Sequence, residues 1–148
     1  MSYDADRAIK KAKHIAVQYG EPSAWALAER LAHVFVNETN LGGNIRGYSM
    51  RCCRETIIAL DDSMTEEETT AVLYHEIGHA LLTQEATASY FYQDASRAAV
   101  GSSEYIANCF MFQMLFGNRG AINPMNYIDI LDKYGLPHWM TEYFGVID

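Results

Sequence analysis

The string His75-Glu76-Ile77-Gly78-His79 has the residue types and spacing of a metal-dependent hydrolytic site. Residues four apart lie one turn apart on the same face of a helix, so imidazoles at 75 and 79 can share one ion. Zinc suits nitrogen donors in a tetrahedral site. Glu76 follows the first histidine directly; at this spacing its carboxylate reaches a water activated at the ion without ligating the ion itself, and can take a proton from it. On a wheel of about 100° per residue, His75 and His79 lie within about 40° of each other, while Leu73, Ile77 and Leu81 cluster on a different side. The helix thus has a core face and a separate ligand face. The pentapeptide alone is equally compatible with an amphipathic helix bearing two surface histidines. Gly78 tilts the balance: a glycine in mid-helix costs about 1 kcal/mol relative to alanine, which implies a packing or access reason for it.

Catalytic zinc takes three protein ligands and leaves one position open. Glu104 is the leading third candidate. It begins a second helical run, Glu104-Tyr105-Ile106-Ala107-Asn108, and a helix crossing the motif helix can present it to the metal. Asn108, one turn on, can bond the far nitrogen of a ligand histidine and set its tautomer. A favourable charge at a helix start would also account for Glu104. Asp94 and Glu85 are the fallback ligands. For an oxyanion donor besides the metal, His138, Tyr127, Tyr134, Tyr143 and Arg119 lie in the right part of the chain, but spacing singles out none of them. Cys109 reads as a small buried hydrophobe. The run Tyr90-Phe91-Tyr92 reads as packing ahead of a cleft cover or partner surface. His14 and His33 have no partner pattern.

The elements that must position these residues follow from caps and periodicity. Thr65-Glu66-Glu67-Glu68 is a capping box that starts the motif helix, which should run to about Leu82. Ser102 or Ser103 should cap a helix from Glu104 to about Phe116, ended by Gly117. Upstream, a helix is predicted over Tyr3–Tyr19, stopped by Gly20, and a second starting at Pro22. Strands are predicted near Val34–Val36, over Ile45–Cys52 and over Glu55–Leu60, the last with an edge able to accept an extended peptide. Residues 84–103 are ambiguous and have room for a further helical turn or two. Asn123-Pro124 opens another helix that stops at Gly135, and Leu136-Pro137 a last short one. The expected class is α+β, with helices around a small sheet of about three strands in one domain, 1–148.

With 148 residues, 49% hydrophobic and 20% charged, the chain has a globular composition, which argues against disorder along most of it. Its net charge of −8 gives it no general pull toward nucleic acid or anionic lipid. The dense basic cluster Arg7, Lys10, Lys11, Lys13 reads as a solvated helix face. No apolar run is long enough to span a bilayer, and the N-terminus lacks a signal-peptide core, so a cytoplasmic location is expected. Three cysteines, two of them the adjacent Cys52 and Cys53, make neither a disulfide framework nor a zinc knuckle. At most one of that pair should point into the core.

The segments His75-Glu-Ile-Gly-His79-Ala-Leu-Leu and Glu104-Tyr-Ile-Ala107-Asn108-Cys-Phe110 resemble the ImmA/IrrE family of zinc metallopeptidases, which pair an H-E-x-G-H-x-x-L helix with a later E-x-x-A-N-x-F helix. The resemblance extends loosely over residues 3–117, including Gly47-Tyr48 and the strand from Thr56 to Leu60. It implies a zincin-like minimal metallopeptidase of the gluzincin class, with the H-E-x-x-H helix at its centre. It also implies His75, His79 and Glu104 as zinc ligands and Glu76 as general base. Family members commonly sit on phages and integrative elements beside a helix-turn-helix repressor that they cleave or inactivate. The chain departs from the pattern at Met114-Leu115-Phe116-Gly117, where many relatives carry a proline, and it leaves no room for the extra DNA-binding or sensor domain of larger relatives. The expected function is therefore zinc-dependent hydrolysis of a cytosolic protein recognised in trans. The alternative is a zinc-holding regulator that acts by binding its partner.

Overall fold

The structure, a computed structural model, describes residues 2–83, 89–92, 100–117 and 122–147. Helix α1 (Tyr3–Tyr19) starts where the Ser2 side chain accepts the Ala5 N–H, and it stops at Gly20, whose φ of 69° only glycine adopts without penalty. Its buried stripe is small: Ala5, Ala8 and Ala12 with Ile9 and Ile15. Helix α2 (Ala24–Arg30) begins two residues later than expected. Ser23 is its cap, and Pro22 lies outside, its carbonyl accepting the Tyr74 hydroxyl at 2.8 Å.

The class is α+β, but the sheet has four strands, in the order β1-β3-β2-β4. β1 (Val34–Thr39) runs parallel to β3 (Glu55–Asp61), and β3 is antiparallel to β2 (Ile45–Cys52). The strand absent from the sequence-based reading is β4 (Ser89–Tyr92), antiparallel to β2 with Ser49 opposite Ser89 and Tyr48 opposite Tyr90. Four residues cannot display an alternating pattern on their own, and their strand geometry comes from the ladder with β2. Strand order brings a second correction. β3 is interior, hydrogen-bonded on both sides, so its edge is not available to a peptide; β1 and β4 are the edges.

Helix α3 (Glu66–Leu82) carries the motif, and its capping box is complete: Thr65 accepts from the Glu68 N–H and Glu68 accepts from the Thr65 N–H. It packs on β2 and β3 along one face and on α4 (Ser102–Phe116) along another, while α1 also packs on α4. The sheet approaches closely because Gly47 has no side chain. A Cβ there would stand 2.6 Å from a Val72 methyl. α4 begins at Ser102 with Gly101 as its cap, so neither serine caps it and both lie in its first turn. After a turn at 124–126, in which Asn123 accepts the Met125 N–H, come α5 (Tyr127–Lys133) and a 3₁₀ helix, His138–Gly145. The 3₁₀ helix closes the core with Met140, Tyr143 and Phe144.

Arg7 is not simply solvated. Its guanidinium donates to the Leu82 carbonyl, tying α1 to the end of the motif helix. Among the described residues, no helix is long and apolar enough to cross a membrane.

Candidate metal centre

Eleven of the residues of α3 are buried, including Tyr74, His75, Glu76, Ile77, Gly78 and His79 in succession. The motif helix is therefore not an amphipathic surface helix with two solvated histidines. Its sheet-facing side carries Val72 and Glu76, and the side toward α4 carries His75, Gly78 and His79.

Gly78 explains how Glu104 reaches them. A Cβ at 78 would stand 3.1 Å from the Phe110 ring and 3.2 Å from the Ala107 Cα. The two helices thus touch almost backbone to backbone, with Ala107 as the small partner. Glu104 lies one turn before Ala107 on the same face of α4, and so arrives beside the two imidazoles. Its carboxylate oxygens lie 3.1 Å from His75 Nε2 and 2.9 Å from His79 Nε2.

Among the described residues, His75, His79 and Glu104 are the group able to hold a metal ion, with ligand atoms all within 4.8 Å of one another. Donors bound tetrahedrally at zinc–ligand distances of about 2.0–2.1 Å stand about 3.3 Å apart, close to what the carboxylate and imidazoles show. The donor chemistry also fits. His75 is buried, and neither of its ring nitrogens meets the geometry of a hydrogen bond among the described residues, although the Glu104 carboxylate stands 3.1 Å from Nε2. A buried imidazole left this way is costly unless an ion takes its lone pair. Burial pushes the Glu104 carboxyl up, but the neighbouring imidazoles outweigh it and hold the group well below the usual carboxylate range. Glu104 is 27% exposed while the histidines are at 0% and 4%, so the site opens to solvent on the carboxylate side.

Glu76 is fully buried, with its Oε1 3.9 Å from His75 Nε2. Neither of its oxygens meets a hydrogen-bond donor in good geometry among the described residues. Burial raises its proton affinity; His75, His79 and the adjacent Ser49 side chain offset this only in part. A carboxyl so placed is poised to take up a proton.

Asn108 does not serve as expected. Its amide donates to the Tyr143 hydroxyl at 3.1 Å, linking α4 to the 3₁₀ helix, and its Oδ1 reaches no ligand histidine. The residue that holds a ligand ring is Thr83, which sequence reasoning missed. Its hydroxyl donates to the His79 carbonyl at 2.9 Å and lies 3.3 Å from His79 Nδ1. With the hydroxyl proton spent on the carbonyl, Thr83 can only accept from the ring. That places the ring proton on Nδ1 and directs the Nε2 lone pair toward the candidate metal position. The i,i+4 spacing from His79 was the available signal. His75 is positioned sterically instead, with the Phe91 ring edge-on at 4.8 Å.

The oxyanion candidates go elsewhere. His138 bonds Asp132 at 2.6 Å on the surface, Tyr127 stacks on Phe144, Tyr134 packs against Phe116, and Tyr143 is engaged by Asn108. Arg119, Glu85 and Asp94 lie outside the described residues. Burial pushes the Cys109 thiol up to about 11, which makes it a poor metal ligand.

Two variants probe this geometry. Thr83→Val, which keeps the shape and removes the acceptor, should weaken zinc binding about 10–100-fold in a chelator competition, with Thr83→Ser restoring most of it. Gly78→Val should overpack the α3–α4 contact at a cost of about 1–3 kcal/mol. It should lower the thermal midpoint by several degrees and weaken zinc binding together, because α4 cannot recede without taking Glu104 along.

No protein-family model matches the chain, and no curated protein sequence matches it.

Proposed function

We propose that the protein is a zinc-dependent endopeptidase that hydrolyses a peptide bond in another protein. The observation that carries the reading is the convergence of His75, His79 and Glu104, from two helices, around one point, with the fully buried Glu76 carboxyl beside it. The chemistry supplied by bound zinc is Lewis acidity, which polarises a carbonyl and lowers the pKa of water. His75 and His79 would hold the ion through Nε2, and Glu104 would add the third donor from the solvent side. Glu76 takes the proton from the attacking water and returns it to the leaving amine. β4 supports the docking of an extended chain: it is an edge strand, and its Phe91 ring lies on His75, so a peptide added to that edge would run past the site.

The resemblance to ImmA/IrrE peptidases suggests a substrate class, a cytosolic repressor of a phage or mobile element with a helix-turn-helix. The test is direct. Purified protein should carry one equivalent of zinc, and its cleavage of a helix-turn-helix repressor offered as substrate should stop on chelation and return with zinc. Protein that binds no zinc at micromolar concentration would sink the proposal.

A further inference from the structure

Cys52 and Cys53 stand apart from the metal centre and are used by nothing in its chemistry. Cys52 is the last residue of β2, opposite Glu55, and Cys53 is the first residue of the two-residue turn into β3. Both are exposed free thiols. Cys53 has φ of 60°, in the left-handed region that glycine and asparagine normally fill at hairpin turns. A cysteine held there carries backbone strain for no packing gain, since it is exposed. The turn takes Cys53 out of the strand's alternation, and Cys53 beside it raises the proton affinity of the Cys52 thiol. Adjacent cysteines on a straight strand would point to opposite faces.

Two adjacent, exposed thiols can oxidise to a disulfide or chelate. Geometry separates these. Disulfides usually join residues with Cα atoms 4.4–6.8 Å apart, whereas neighbours across a trans peptide are about 3.8 Å apart, and no cis peptide occurs among the described residues. Closure to a ring therefore lies outside the usual disulfide geometry. Nor is this a closed zinc site, because among the described residues no third ligand completes such a group around the pair. Two sulfur donors at a bent angle, open to solvent, suit a soft centre that brings its own remaining ligands.

We propose that Cys52 and Cys53 form a bidentate site for a soft, thiophilic centre of the trivalent-metalloid type. With a monosubstituted arsenoxide, two S–H and the As=O bonds break, two S–As bonds form, and the oxygen leaves with both protons as water. No oxidation state changes, so no oxidant is needed.

Phenylarsine oxide in the presence of excess glutathione is the probe, read by intact-protein mass. The full chain should retain one adduct, released by dithiothreitol. C52S and C53S should each lower the retained adduct at least tenfold. C109S should retain it in full. Retention by both hairpin variants, loss in C109S, or release from the wild type to glutathione as fast as from the variants would overturn the proposal.

Discussion

Glu76→Gln is expected to retain zinc at the wild-type level and to lose about 10²–10⁴-fold in kcat, the range associated with removing a general base. Glutamine keeps the volume of the buried side chain and cannot accept the proton. Glu76 is not a ligand, so the ion should stay. The stability readout is the discriminating one. The wild-type side chain buries an acid with no well-aligned donor to satisfy it among the described residues, and burial pushes its carboxyl up. Replacing it by a neutral amide removes that burden, so the thermal midpoint should hold or rise as activity falls. A residue kept for structure would show the reverse, a fall in both. If Glu76→Gln still inactivates the partner at the wild-type rate, hydrolysis through Glu76 is not the mechanism, and the zinc-holding regulator becomes the better reading.

Local chemistry made much of this fold legible. Thr65 and Glu68 announced the start of α3 because a capping box is a contact between residues three apart. Gly20 marked the end of α1 for a similarly local reason, its positive φ. The candidate ligands at 75 and 79 were legible because helical spacing alone places them together. The features that stayed hidden depend on partners distant in sequence. β4 owes its strand geometry to β2, and β3 became interior because β1 pairs parallel to it instead of with its chain neighbour β2. Asn108 lies on the right face of α4 to approach the histidines, yet its amide is claimed by Tyr143, 35 residues on. Gly78 shows the boundary well. Its cost to the helix is a local fact that flags a reason; the reason itself, contact with Ala107 and Phe110, belongs to the tertiary structure.

The same contact makes Glu104 an unusually clean test of the metal centre. Glu104→Ala should weaken zinc binding at least ~100-fold, more than loss of an outer hydrogen bond to a ligand, because it leaves only the two imidazoles as protein donors. Glu104→Asp is the sharper variant. It preserves the charge and the donor atoms and withdraws them by one methylene. A mobile helix would follow to restore the contact, but α4 already touches α3 at Ala107 and Phe110 and has no room to advance. Aspartate should therefore bind zinc nearly as poorly as alanine, a result that charge alone would not produce. Chelator competition on both variants, with circular dichroism to show that α4 is intact, gives the measurement. If both hold zinc as tightly as the wild type, the third donor comes from another acid, with Glu85 and Asp94 next to be substituted. If aspartate alone does, the helix contact does not fix the ligand distance and the role assigned to Gly78 falls with it.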